Sequence, residues 1–286
     1  MKILVTGANG QLGHDVVKEL KAQNIETLGC TRDDFDISNA MQVMDFIIKY
    51  EPNAIIHCAA YTSVDMAEVE PEKCYQINVV GTRNIAQACN RIGAKLFYIS
   101  TDYIFDGSGS SEFEVSSKAN PLSVYGTSKL MGENEIINTL SKFFILRTSW
   151  VFGKNGNNFI KTMLRLSLIE SKLYVVRDQI GAPTYTVDLA KLIASMIKTE
   201  KYGIYQATNE GYCSWVEFAK EIMNLTKRKT EIVPIISEEY KTKAIRPKNS
   251  RLSKESLDIG GFGRLPGWKD ALKRYLVEIG EIRTLE

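Results

Sequence analysis

The sequence predicts an α/β fold, a doubly wound parallel sheet with a smaller, mainly helical C-terminal lobe. Three observations predict it. Through the first half, short apolar runs alternate with longer stretches of helical spacing, as parallel strands joined by crossover helices do. Those runs lack polar alternation, as expected of strands covered on both faces. A glycine-spaced turn, GANGQLG, follows the first run at once and opens a helix.

Strands are expected at KILVT, IETLG, NAIIHCA, AKLFYIS and FFILRTS, each followed by a helical segment. Val16, Val17 and Leu20 give the first helix its apolar stripe, and Ile85, Ala88 and Ile92 do so for a long helix beginning near Pro71. From about residue 153 the pattern changes. Helical stretches such as VDLAKLIASMIKTE and WVEFAKEIMNLTK are separated by polar, proline-containing loops, DQIGAPTYT and IRPKNSRLS among them.

The 286 residues suffice for one large domain or for one domain with a smaller second lobe. With 44% hydrophobic and 24% charged residues the composition is that of an ordinary soluble globular chain. A net charge of +2 argues for neither nucleic acid nor a membrane surface as partner. The basic run Lys227, Arg228 and Lys229 reads as a solvated helix end. Five cysteines without a CxxC pair, and only two histidines, give no zinc-type spacing. Free thiols in a reducing compartment are expected, and no metal is assigned. The chain opens directly on a strand and holds no apolar run of membrane-spanning length, so a cytoplasmic, unprocessed protein is expected.

Gly7, Gly10 and Gly13 sit at the first strand-to-helix turn. That is where a dinucleotide-binding fold needs a tight turn, a bare backbone beside the pyrophosphate and close helix packing. The free N–H groups and positive dipole end of the helix suit the phosphates. Residues 1–152 are accordingly read as a Rossmann-type NAD(P)-binding domain, with room for later segments to return to it, and 153–286 mainly as a substrate-binding lobe. After the second strand stands GCTRDDFDIS, where Arg32 suits a 2′-phosphate and favours NADPH, while Asp33 or Asp34 leaves NADH open.

In NPLSVYGTSKLMGENE, Tyr125 and Lys129 are spaced i, i+4 and share one helix face. A lysine charge there favours phenolate and lowers the tyrosine pKa, so the pair is suited to proton transfer near neutral pH. Packing alone would also explain the spacing.

The glycine turn, HCAAYTSVD after the third strand, STDYIFDG after the fourth and YGTSK on the next helix occur in order. Together they resemble the extended short-chain dehydrogenase/reductases. More narrowly, AAYTSVDMAE, STDYIFDG, YGTSKLMGE, RTSWVFG, GNNFIKTML, DQIGAPT and RPKNSRL resemble the dTDP-4-dehydrorhamnose reductase family over nearly the entire chain. The resemblance implies a proton donor at Tyr125, Lys129 as its neighbour and nicotinamide-ribose ligand, and Thr101 on the substrate oxygen. It implies cofactor contacts from Gly7, Asn9, Gly10, Gln11 and Leu12 at the pyrophosphate, Asp36 and Ile37 near the adenine, and Ala59, Ala60, Tyr61 and Thr62 along the cofactor. Val64, Asp102 and Trp150 fall to the substrate. Asn158, Arg246 and Arg251, in second-lobe loops, are read as further substrate contacts; guanidinium groups suit a diphosphate, and the two arginines equally suit surface or inter-lobe salt-bridge positions.

The implied reaction is hydride transfer from NADPH to the C4 ketone of dTDP-4-dehydro-L-rhamnose, giving dTDP-L-rhamnose. An epimerase or dehydratase of the same superfamily would share the glycine loop and Tyr125, but Tyr103 stands where dehydratases carry a glutamate. A non-catalytic regulatory subunit of this fold is the rival from another class; the intact Thr101, Tyr125 and Lys129 speak against it. Some members are dimers bridged by a glutamate-held metal. Here Asp15 alone aligns to such a ligand and Val187 takes another's place, so a monomer or a homodimer is expected. His14 and Asp15 are otherwise read as surface positions.

Overall fold

The computed structural model describes residues 1–283. Six parallel strands form the main sheet: β1 (Lys2–Thr6), β2 (Glu26–Cys30), β3 (Ala54–His57), β4 (Lys95–Thr101), β5 (Phe143–Thr148) and β6 (Gly203–Gln206). Their spatial order is β6, β5, β4, β3, β1, β2. The chain reverses direction across the sheet between β1 and β3, and ligands of such sheets bind where strand ends diverge at that point. No strand stands beyond β2 among the described residues.

Alternate side chains feed two cores, which is why the strands read as unbroken apolar runs. Ile3, Val5, Ile56, Phe97 and Leu146 enter one core, against helices α1 (Gln11–Ala22) and α6 (Thr186–Met196). Leu4, Ile55, Leu96, Tyr98 and Ile145 enter the other, against α2 (Ala40–Tyr50), α3 (Thr82–Ile92) and α4 (Val124–Thr139). Val16 and Leu20 are fully buried, and Val17 packs at the edge of the first core. The helical run from Pro71 to Ile92 is interrupted by a π-helical turn over Gln76–Gly81, a widening that favours side-chain placement over regular packing.

A third core joins Phe152, Tyr185, Phe218, Trp268 and Tyr275 with α5 (Phe159–Leu166), α7 (Trp215–Leu225) and α8 (Trp268–Glu278). Its aromatic rings pack in pairs, Phe152 on Tyr185 at 5.4 Å and Phe152 edge-on to Tyr275 at 5.1 Å, arrangements worth more than their area alone. Two parallel strands, Lys172–Val176 and Glu231–Ile235, pair here where the sequence pattern pointed mainly to helices and loops. The DQIGAPTYT and IRPKNSRLS segments likewise contain short paired strands, Ile180–Gly181 with Asn249–Ser250. The two-residue strands are too short for a periodicity of two to stand out. Among the described residues no helix is long and apolar enough to cross a membrane.

Candidate active site

β1, β3, β4 and β5 all end at one cleft of about 930 Å³. Its floor is the glycine loop. Gly7 has φ +67°, and a Cβ there would meet the Ala59 backbone nitrogen at 2.7 Å; only glycine fits that turn. At Gly13 a Cβ would collide with the Gly7 carbonyl, so α1 starts close against the loop. Gly10 caps α1 without a side-chain bond and its first turn holds no acid. Free N–H groups and a positive dipole end are thereby left for an anion.

Seventeen assigned residues share the cleft: Gly7, Asn9, Gly10, Gln11, Leu12, Arg32, Asp36, Ile37, Ala59, Ala60, Thr62, Val64, Thr101, Asp102, Tyr125, Lys129 and Trp150. Thr101 and Asp102 stand at the end of β4, where Thr101 Oγ1 donates to Asp102 Oδ1 at 3.0 Å. Asp102 Oδ2 is buried without a hydrogen-bond partner, and burial pushes this carboxyl up to about 6. Ser123 caps α4 by accepting from Gly126 N at 3.1 Å, fixing the helix that carries Tyr125 and Lys129. Trp150 adopts φ +48° and stacks on Trp215 with ring centroids 3.5 Å apart.

The expected acidification of Tyr125 does not occur. Burial pushes this phenol well above its ordinary value, opposed only in part by the Thr101 hydroxyl. Lys129 is itself only 3% exposed, and its ammonium rests 3.9 Å from the centre of the Tyr98 ring. Burial draws it down to about 7, against the nearby Glu133 carboxylate. Desolvation dominates, and the Lys129 charge that the i, i+4 spacing suggested is not among the influences on the phenol.

Four assigned residues do not line the cleft. Tyr61 donates its backbone N–H to Asn78 Oδ1 at 2.8 Å and its hydroxyl to Glu70. Arg246 donates to Asp65 Oδ2 at 2.7 Å and to the Tyr103 hydroxyl at 3.3 Å, the salt bridge that is its alternative reading, and its Nε is buried without a hydrogen-bond partner. Arg251 donates to Asn249 Oδ1 at 3.0 Å. Asn158 donates its amide to Gln11 Oε1 at 3.1 Å and to the Tyr275 hydroxyl at 3.0 Å. Asp15 also departs from expectation, being 3% exposed and accepting from the Thr186 hydroxyl on α6. Sequence reasoning missed Ser100, Thr148, Ser149, Gly156 and Asn157, which the cleft includes. Thr148 and Ser149 end β5, and the position of polar residues just after an apolar run was the available signal.

His57, at the end of β3, lies buried between the hydroxyls of Thr6 (2.7 Å) and Thr82 (3.3 Å). Burial first, and the Lys129 charge second, push it down to about 3. The unfolded chain therefore binds a proton here between pH 6.5 and about 3 that the folded chain does not, so acidification through that window destabilises the fold. Thermal melts of His57→Gln should accordingly show a shallower fall in Tm between those pH values than wild type, whatever the offset at neutral pH. Parallel slopes would contradict the buried, neutral imidazole.

A family model for the RmlD substrate binding domain matches residues 1–280. The chain is 41% identical to a dTDP-4-dehydrorhamnose reductase of Aggregatibacter actinomycetemcomitans, over 95% of this chain and 97% of that protein. Among solved structures, a dTDP-4-dehydrorhamnose reductase of Clostridium acetobutylicum superposes with TM-score 0.96 at 42% identity, covering 98% of this chain and 99% of that one. One from Bacillus anthracis str. Ames, in complex with NADP, gives 0.95 at 43% identity over 97% and 100%. From the glycine-loop cleft, the paired Tyr125 and Lys129 and similarity along almost the full length, the chain belongs to the RmlD family of dTDP-4-dehydrorhamnose reductases.

Proposed function

We propose that the protein reduces the C4 ketone of dTDP-4-dehydro-L-rhamnose to dTDP-L-rhamnose with NADPH, through Thr101, Tyr125 and Lys129. One observation carries the reading: the glycine-loop cradle and the Thr101, Tyr125 and Lys129 side chains lie in a single cleft. The residues present fit the cofactor, because the bare Gly7 turn and the uncapped start of α1 make a phosphate cradle that a Cβ would fill. When bound, the dihydronicotinamide supplies the hydride.

The protein's own part is acid catalysis and orientation. A proton donor must hold its proton until an alkoxide develops, and the raised pKa of Tyr125 keeps it protonated at neutral pH. Thr101, beside Tyr125 at the end of β4, offers a second hydroxyl to the same substrate oxygen by turning it from Asp102. Lys129, one turn along α4, draws Tyr125 toward phenolate once its ammonium is charged, which stabilises the state after proton transfer. Asp102 and Trp150 line the same cleft, which supports a role for both toward the sugar.

Arg32 bears on cofactor choice. Asp34 turns back on its own loop, where its carboxylate accepts from Thr31 N at 2.7 Å and Thr31 Oγ1 at 3.2 Å. That leaves Arg32 at the cleft wall, suited to a 2′-phosphate. The test is NADPH oxidation with the ketosugar formed in situ by a dehydratase and a 3,5-epimerase, the product being identified by mass and NMR. NADPH loss matched by dTDP-L-rhamnose supports the reading, and cofactor binding without turnover refutes it. In the same assay Arg32→Ala should raise the KM for NADPH about tenfold and leave that for NADH nearly unchanged.

A further inference from the structure

A second-lobe loop, residues 153–158, lies directly on the glycine loop. Gly153 donates its N–H to Gln11 Oε1 at 3.0 Å, and Asn158 Nδ2 donates to the same oxygen at 3.1 Å. Gly156, at φ +68°, brings the loop backbone so near that a Cβ would stand 3.3 Å from Gln11 Cγ. Asn158 Nδ2 also lies 2.9 Å from the Gly153 carbonyl and 3.0 Å from the Tyr275 hydroxyl, which itself donates to that carbonyl at 3.2 Å. Lys161 Nζ fastens the loop's outer side through the carbonyls of Lys154 and Gly156 at 2.5 and 2.8 Å.

We infer that Asn158 is a positioning residue for the dinucleotide rather than a substrate ligand. Through Gln11 it fixes the glycine loop, so the second lobe sets cofactor affinity. Its amide N–H groups are spent on Gln11, Gly153 and Tyr275, which leaves none for a sugar nucleotide. Gln11 opens α1, whose first N–H groups form the anion cradle, and a side chain held from 147 residues away stiffens that turn before ligand arrives. Preorganisation of this kind lowers the ordering cost of binding. The inference rests on the reading that the glycine loop holds the pyrophosphate.

Asn158 also caps α5, its Oδ1 accepting from Lys161 N at 3.1 Å. Asn158→Ser keeps a good cap and is too short to reach Gln11, so it separates the two roles. NADPH binding to the full chain, read by fluorescence without sugar nucleotide, should weaken about tenfold in N158S. The KM for the ketosugar at saturating NADPH should stay within about twofold. Gln11→Ala should weaken NADPH binding similarly, and the double variant no further, because both act through one link. An unchanged Kd in folded N158S, additive losses, or a raised ketosugar KM with unchanged NADPH Kd would each overturn the role. Should the serine variant not fold, Asn158→Thr keeps a cap hydroxyl, is equally too short to reach Gln11 and carries the same expectation. Wild-type protein that binds no NADPH would instead overturn the glycine-loop reading itself.

Discussion

Tyr125→Phe will lower kcat by roughly 10²- to 10⁴-fold while NADPH binding stays close to wild type. The substitution removes one oxygen from a half-buried ring that packs edge-on against Tyr103 with centroids 5.6 Å apart, so the ring's place in the cleft is kept. What is lost is a phenol that meets the Thr101 hydroxyl and stands one helical turn from the buried Lys129. The loss should appear in kcat and in kcat/KM alike, as for an interaction made chiefly in the transition state. Single-turnover NADPH oxidation checks this. A rate within tenfold of wild type would remove Tyr125 from the proton-transfer step and hand that role to solvent or to Thr101.

The second large effect concerns stability. Glu133 on α4 and Arg147 on β5 are 1% and 7% exposed at the side chain, joined by two hydrogen bonds of 3.0 and 2.7 Å. Arg147 also donates to the Val115 carbonyl at 3.0 Å, so the pair ties the sheet, the catalytic helix and the loop before it. Removing one partner strands a buried charge. Glu133→Ala should therefore cost about 3–5 kcal/mol, a fall in Tm on the order of 10 °C for a chain of this size. Replacing both residues by methionine should recover most of that loss, since apolar packing then replaces two desolvated charges. A double variant as unstable as the single one would show that the geometry, rather than the stranded charge, carries the effect. Calorimetric or fluorescence melts of the three proteins decide it.

Much of this site was legible in the sequence because its signals are local. The glycine spacing, the i, i+4 tyrosine and lysine, and the polar residues ending each strand depend on neighbours a turn or a strand away. The parallel sheet followed from apolar runs without alternation, and its two cores divide Leu4 from Ile3 and Val5 by the alternation of the strand itself.

Other pairings were not legible, for a common reason. Asn158, Arg246 and Asp15 stand in sequence as free polar residues, yet their partners are Gln11, Asp65 and Thr186, at separations of 147, 181 and 171 residues. No local pattern encodes such pairings. Tyr125 shows the same division in one side chain. Its spacing from Lys129 was set by the helix and visible at once, but its acidity was not.

The sequence by itself determined the parallel α/β architecture, the bare glycine turn and the one-turn spacing of Tyr125 and Lys129, because periodicity and turn chemistry are properties of short segments. Tertiary structure alone decided the rest: which polar groups bond one another across lobes, which stay open to the cleft, and that Tyr125 keeps its proton. Those outcomes depend on burial, and the cost of desolvating a charge is fixed only once distant segments have closed around it.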